Sequence, residues 1–169
     1  MKNIVVWLFI FLFSLPLQAD IYALKSGVLV HGEGPVSSGR EKGYDLNVEV
    51  LWEDTYIYAH PSVGIELNDS GFTNFLYAGL AWEGYLFETI FWELFLGGSV
   101  HDGNLTPSDR NRRALGSRVL FREAIALGFG ITDRVTFTVI YDHYSHSGTD
   151  ESLSNQGNDN TGVRLGYYF

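Results

Sequence analysis

The sequence predicts an all-β fold, an eight-stranded antiparallel up-and-down transmembrane β-barrel of the outer membrane. Apolar and polar residues alternate along eight segments, which is typical of strands that have one apolar and one polar face. Most connections alternate between short and long, as the periplasmic turns and external loops of such barrels do. Aromatic residues make up 15% of the chain and there are 19 glycines against 4 prolines, which favours strands over helices.

The alternation is clearest in three segments. The segment 44–52 places Tyr, Leu, Val, Val and Trp on one face, and Asp45, Asn47 and Glu49 lie on the other. The segments 135–141 and 161–169 carry similar apolar stripes, and the second stripe ends on the terminal Phe169. The whole chain yields eight expected strands, at roughly 21–32, 42–53, 61–68, 73–83, 86–97, 116–130, 133–146 and 159–169.

The connections give the barrel an orientation. Short links are expected at 54–60, 84–85 and 131–132, and long polar links at 33–41, 98–115 and 147–158; the link at 69–72 is short as well. If the short links are periplasmic, an even number of strands places both termini on the periplasmic side.

Alternation alone also fits a soluble lipocalin-like barrel, whose apolar face points inward. Two sets of residues favour the membrane barrel, whose apolar face meets lipid. One set would pair inside a narrow lumen: Glu49, Glu66, Arg118, Arg122 and Arg164. The other set falls near the periplasmic ends, as an aromatic girdle does: Trp52, Tyr56, Trp82, Tyr85 and Phe169. Glu123 interrupts the apolar face of the sixth strand, and the pattern offers no reason for it.

The first 19 residues predict a secretory signal peptide, and residues 20–169 predict one barrel domain. A lysine precedes an apolar run that ends near Pro16, and a small residue, Ala19, precedes the expected cleavage site. An uncleaved anchor is the alternative, but the apolar run is short for a membrane span. Removing this segment takes away one lysine and no acid, so the net charge changes from -9 to -10. This charge argues against nucleic acid as a partner, and without cysteine neither disulfides nor thiolate metal sites are available.

One motif near the C-terminus carries chemistry. His143 and Ser145 follow the apolar stripe of strand seven on the same face, about 7 Å apart along the strand. Counting back by twos from the terminus places Asp159 on the outer face of strand eight, beside His143, provided that no bulge intervenes. A serine becomes a nucleophile when a histidine accepts its proton and a carboxylate orients that histidine. Asp150 and Glu151 are rival carboxylates in the neighbouring loop, and a solvated strand end is the simpler alternative for the motif.

The other histidines are weaker candidates. The motif "HDG" at His101 has no third metal ligand at usable spacing, so a loop turn is expected there. His31 and His60 are expected to be ordinary strand or turn residues.

Several stretches carry a resemblance to a known family. The segments "HYSHSG", "NQGND" and the terminal "GVRLGYYF", with "EKGYDLNVEVLW" and "LYAGLAWEG", resemble the PagL-type lipid A 3-O-deacylases. The resemblance implies an eight-stranded outer-membrane barrel that hydrolyses the ester at position 3 of lipid A without a cofactor. It implies that Ser145 is the nucleophile and His143 the base, with Asp159 as the acid where the family often has Glu. His146 stands where the family commonly has Asn. The change is harmless if the backbone N–H of this position is the oxyanion donor, and it removes the donor if the Asn side chain is.

The resemblance also implies the partners: lipopolysaccharide as substrate, outer-membrane lipid as surroundings, and a homodimer as an open expectation. At such an interface we expect water to screen the acid. Two alternative functions stay open, a catalytically weak barrel with a structural or adhesive role and a small-lipid binder with a lumenal site. The charged residues expected in the lumen argue against the lipid binder.

Overall fold

The protein forms a closed barrel of eight antiparallel strands, each hydrogen-bonded to its neighbours in sequence, with the last strand pairing with the first. This description rests on a computed structural model, which describes residues 20–37, 39–53, 55–146 and 155–169. The predicted signal peptide and the rival acids Asp150 and Glu151 lie outside these residues. The strands are β1 Ile21–His31, β2 Tyr44–Trp52, β3 His60–Asn68, β4 Phe75–Leu86, β5 Ile90–His101, β6 Val119–Thr132, β7 Val135–Ser145 and β8 Asn158–Tyr168.

The seam between β1 and β8 closes the barrel. Nine successive pairs join these two strands, from Ala23 opposite Tyr168 to His31 opposite Asn160. Closure removes the unpaired strand edges that an open sheet would present. Along every strand, side chains alternate between the lumen and the outer face, so the period-2 pattern of the sequence becomes the inside and the outside of the barrel.

The two ends of the barrel differ, as the link lengths predicted. The long-loop end carries four connections, which we call the first to fourth outer loops: 32–43, 69–74, 102–118 and 146–157. The turn end carries the links 53–59, 87–89 and 133–134 together with both ends of the barrel domain.

The turn after β4 lies at 87–89, and the predicted position at 84–85 was wrong. Gly84 stays within β4 and pairs with Trp92, whose indole ring covers the space that a side chain would occupy. The chain reverses instead at Phe87 and Glu88, which have φ angles of 53° and 63°. Asn and Gly usually occupy such left-handed turn positions, so the Phe–Glu pair gives no turn signal in the sequence. β5 consequently begins later than expected and extends to His101.

Ion pairs fill the lumen near the turn end. The Arg164 guanidinium contacts Glu49 Oε2 at 2.5 Å and Glu93 Oε1 at 2.6 Å. The Lys25 ammonium contacts Glu93 and Glu83, and all of these side chains are almost completely buried. Each buried charge therefore has an opposite partner, as burial away from water requires. The predicted lumenal positions of Glu49 and Arg164 are confirmed.

Aromatic rings and further polar groups continue this packing toward the outer loops. Arg122 contacts Asp142 at 2.6 Å and lies 3.7 Å from the centre of the Tyr77 ring. Glu66 accepts hydrogen bonds from the Tyr144 hydroxyl and the Asn160 amide. The lumenal positions predicted for Glu66 and Arg122 are therefore confirmed.

Arg118 does not belong to the lumen, contrary to the prediction. It precedes β6, is exposed, and donates hydrogen bonds to the backbone carbonyls of His101 and Gly103. The expected strand start at 116 placed Arg118 in the alternating register, whereas β6 begins only at Val119.

The outer face is apolar along the strands. Leu, Val, Ile and Phe side chains point outward from every strand, and many of them are about half exposed. The predicted girdle residues lie at the turn end; Tyr56, Tyr85 and Phe169 are exposed, while Trp82 donates its indole N–H to the carbonyl of Ile57. No helix in the described part of the chain is long and apolar enough to cross a membrane.

Candidate active site

A histidine and an aspartate meet on the outer face near the long-loop end. His143 of β7 is directly opposite Asp159 of β8 in the strand register, and its Nδ1 lies 2.6 Å from Asp159 Oδ1. The expected position of Asp159 beside His143 is confirmed, because β8 continues without a bulge along this pairing. A carboxylate accepts hydrogen bonds, so Nδ1 carries a proton and Nε2 of a neutral ring is the basic nitrogen. That tautomer is the one that a general base needs.

The Asp159 carboxylate is completely buried, although it points to the outer face of the barrel. The first outer loop covers it, and the backbone N–H groups of Val36 and Ser37 donate to Asp159 Oδ2, each at 2.8 Å. The expectation that water screens the acid was therefore wrong. Sequence alternation assigned the face correctly but could not show that a loop 122 residues earlier in the chain folds over it.

Ser145 ends β7 on the same face as His143. Its hydroxyl makes no hydrogen bond to any residue that the structure describes, including His143. In enzymes without substrate, contacts between nucleophile and base are often long and tighten when substrate binds. Both side chains are partly exposed on the outer face.

The backbone after Ser145 is engaged by the fourth outer loop. The His146 N–H donates to Asn155 Oδ1 at 3.3 Å, and the Asn155 amide donates to the His146 carbonyl at 2.6 Å. The first of these bonds is slightly longer than the ordinary range. The residue after Ser145 is therefore linked to the fourth outer loop through Asn155.

Glu123 belongs to the same surface, which accounts for its interruption of the apolar face of β6. Glu123 pairs with His143 in the register between β6 and β7, and its side chain is exposed. Directly opposed residues on one face of a sheet have Cβ atoms about 5 Å apart. Three polar side chains thus share one patch of an otherwise apolar wall: Glu123, His143 and Ser145.

The remaining histidines are structural. His31, expected to be an ordinary strand residue, is buried between Asp45 at 2.7 Å and Glu41 at 3.0 Å. Both ring nitrogens face carboxylates, so both must donate and the ring is an imidazolium. His101 is bound within the third outer loop through the Ser117 carbonyl. Among the described residues no group of three potential metal ligands occurs.

The barrel has eight strands, an ionic and packed interior, and an apolar outer face with a histidine–carboxylate pair near its outer rim. These features define a small outer-membrane β-barrel protein with a candidate site on its outer face. More specifically, the chain belongs to the PagL family of lipid A 3-O-deacylases, whose family model matches residues 38–168. The expected family, fold class and outer-membrane location are therefore confirmed. A search of curated protein sequences gave no match.

Solved structures agree on the fold. The outer membrane enzyme PagL matches with a TM-score of 0.63 and 16% sequence identity, over 87% of this chain and 99% of that chain. Neisserial surface protein A matches with a TM-score of 0.57 and 12% identity, over 88% of this chain and 97% of that chain. A de novo designed transmembrane β-barrel matches with a TM-score of 0.53 and 13% identity, over 89% of this chain and 98% of that chain. Because an enzyme, a surface protein and a designed barrel share this architecture, function must be argued from the site.

Proposed function

We propose that this protein is an outer-membrane serine esterase that hydrolyses the 3-O-linked acyl chain of lipid A and releases a 3-hydroxy fatty acid. The observation that carries the proposal is the bond between His143 Nδ1 and the buried Asp159 carboxylate, with Ser145 on the same face. Membership of the lipid A 3-O-deacylase family supports the substrate class and the position of the ester.

The first step is acyl transfer to the protein. Ser145 Oγ attacks the ester carbonyl carbon while His143 Nε2 takes its proton, and the Asp159 carboxylate stabilises the imidazolium that forms. The bond between the carbonyl carbon and the sugar oxygen then breaks, and His143 returns the proton to that oxygen. The products of this step are an acyl-serine and a lipid A that carries a free 3-hydroxyl.

The second step is hydrolysis of the acyl-serine. Water attacks the carbonyl carbon while His143 Nε2 takes a proton from it. The bond to Ser145 Oγ breaks, the proton returns to Oγ, and the free 3-hydroxy acid leaves. All the atoms come from the ester and one water, so no cofactor enters the proposed reaction.

The position of the site suits an ester that is already in the membrane. His143 and Ser145 lie on the outer wall, directly above the apolar stripe of β7. Acyl chains can lie along that wall while the sugar stays at the level of the outer loops. A water-soluble ester would find no enclosing apolar pocket on such a convex surface.

The test is Ser145→Ala, with mass spectrometry of lipid A from cells that produce the wild type or the variant. We expect both proteins to fold and to shift in gel mobility on boiling, because one partly exposed hydroxyl contributes little to stability. The variant should lose deacylation almost completely, since the proposed acyl intermediate forms on the Ser145 hydroxyl. Substantial activity in folded Ser145→Ala would refute the serine mechanism.

A catalytically weak structural barrel is the second candidate. The observation in its favour is that Ser145 and His143 are not hydrogen-bonded within the described part of the chain. Wild-type protein that leaves lipid A unchanged in cells and in detergent would favour this candidate. A homodimer remains a further proposal for either function, to be tested by cross-linking in the membrane.

A further inference from the structure

The two oxygens of the Asp159 carboxylate have separate partners. Oδ1 binds His143 Nδ1, whereas Oδ2 accepts two backbone N–H groups, from Val36 and Ser37. Two donors on one oxygen fix the rotation of the carboxylate plane as well as its position. The first outer loop therefore determines how Asp159 presents its other oxygen to the histidine.

The loop can approach the carboxylate this closely because of a glycine. A Cβ atom at Gly34 would lie 2.5 Å from Asp159 Cβ and 2.6 Å from Oδ2, closer than real Cβ contacts. Any other residue at position 34 would push the loop and the carboxylate apart. Gly34 lies two residues before Val36, the first of the two N–H donors, and no side chain fits at this position.

Other outer loops hold this loop in place. The buried Arg113 guanidinium donates to the Gly39 carbonyl of the first loop at 2.8 Å and to the Gly157 carbonyl of the fourth loop at 3.0 Å. The Arg113 backbone N–H donates to Glu41 Oε1, and His31 binds Glu41 Oε2. Burial alone would raise the pKa of the Glu41 carboxyl, but these hydrogen bonds and one from the Thr73 N–H lower it to about 2.

We propose that the first outer loop is a positioning element of the active site, which orients Asp159 through the backbone N–H groups of Val36 and Ser37. This inference rests on the proposed function, because it assigns the loop a role in orienting the base of that reaction. The loop does not touch the reacting atoms in this assignment. It acts through Asp159, and Asp159 acts through His143.

The test compares Val36→Pro, which removes one donor, with Val36→Ala, which shortens the exposed side chain and keeps the donor. Losing one hydrogen bond to a carboxylate should lower kcat about tenfold and leave KM unchanged. The alanine variant should behave like the wild type. Equal losses in both variants would overturn the inference, because the side chain and not the N–H would then matter.

A double-mutant cycle separates positioning from general structure. In an Asp159→Ala background the loop has no carboxylate to orient, so adding Val36→Pro should change kcat less than about twofold. A further tenfold loss in that background would show that the loop acts independently of Asp159. If Val36→Pro does not fold, Gly34→Ala replaces it and should also lower kcat about tenfold, because its methyl group displaces Oδ2.

One readout does not depend on activity. The His143 Nδ1 proton in its 2.6 Å bond to Asp159 should give a downfield proton resonance in detergent micelles. We expect Val36→Pro or Gly34→Ala to weaken this resonance and Val36→Ala to preserve it. A wild type that shows the resonance but does not deacylate lipid A would refute the proposed function and not the positioning role. An unchanged resonance in both Val36→Pro and Gly34→Ala would overturn the positioning role.

Discussion

Replacing Asp159 with Asn tests the acid of the proposed triad with almost no change in shape. The carboxylate is held from both sides, by His143 on Oδ1 and by two backbone N–H groups on Oδ2. The loop N–H groups need an acceptor, so the amide oxygen of Asn should turn toward them. The amide NH₂ then faces His143 Nδ1, which must accept a hydrogen bond and carry its proton on Nε2. That tautomer cannot accept the proton of Ser145.

The size of the loss follows from the burial of Asp159. Two unit charges about 4 Å apart interact by about 1 kcal/mol in water and about 4 kcal/mol at the effective dielectric constant of protein sites. Losing about 1 kcal/mol would slow turnover about fivefold, and losing about 4 kcal/mol would slow it about 10³-fold. Asp159 is completely buried, so the larger value applies. The wrong tautomer adds to the loss, and a comparable change in a protease triad costs about 10⁴-fold.

The assay is the initial rate of 3-hydroxy fatty acid release from lipid A in detergent micelles, measured by mass spectrometry. Asp159→Asn should reduce this rate by about 10³- to 10⁴-fold while the heat-dependent gel shift stays normal. Asp159→Glu is the matched control; it keeps the charge and should exceed the Asn variant at least about tenfold. An Asp159→Asn rate within about tenfold of the wild type would show that the buried carboxylate does not support the base.

Three further predictions concern stability. Arg164→Met should destabilise the barrel by about 3–5 kcal/mol, because it removes the cation paired with the buried Glu49 and leaves Glu93 with Lys25 as its cation. Urea unfolding in detergent measures this, and a change below about 1 kcal/mol would contradict it. Glu88→Gly should stabilise the barrel by about 1 kcal/mol, because φ at position 88 is 63°; an unchanged melting temperature would argue against strain there. The lowered pKa of Glu41 contributes stability that is present above its ordinary pKa of 4.5 and is lost as the pH falls toward 2. The free energy of unfolding should therefore fall more steeply between pH 5 and pH 2 in the wild type than in Glu41→Gln.

The sequence predicted the barrel because the alternating pattern of each strand lies within that strand's own residues. Period-2 alternation identifies a strand from its own residues, and eight such segments with short and long links leave few alternatives. The same reasoning placed Arg164 inside and His143 outside, because parity fixes the face of every residue once a strand is recognised.

The predicted strand boundaries were wrong where a residue has a conformation that is unusual for its type. Gly84 suggested a turn, but it remains in β4 with Trp92 over it. Phe87 and Glu88 form the turn in left-handed backbone conformations, although neither residue type is a typical turn signal. Arg118 was assigned to the lumen because the expected start of β6 came three residues too early.

The alternation of faces along a strand predicted which site residues share the outer face, and it predicted nothing further about the site. Parity brought Asp159 to His143, yet nothing local indicated that Val36 and Ser37 would cover the carboxylate. Glu123 was visible as an anomaly in an apolar stripe, but only the register between β6 and β7 shows that it lies opposite His143. Contacts between distant loops depend on how the loops pack once the barrel has closed, and strand alternation carries no information about that packing.

The seam between β1 and β8 has a consequence for when the protein can become active. Asp159 belongs to the last strand, whereas the loop that covers it follows the first strand, and the two strands become neighbours only when the cylinder closes. A chain still in transit, with its ends apart, has the serine and the histidine but not the oriented acid. For the proposed esterase, hydrolysis would therefore require a closed barrel, and a copy whose barrel is still open would not attack the lipids that it meets during transit.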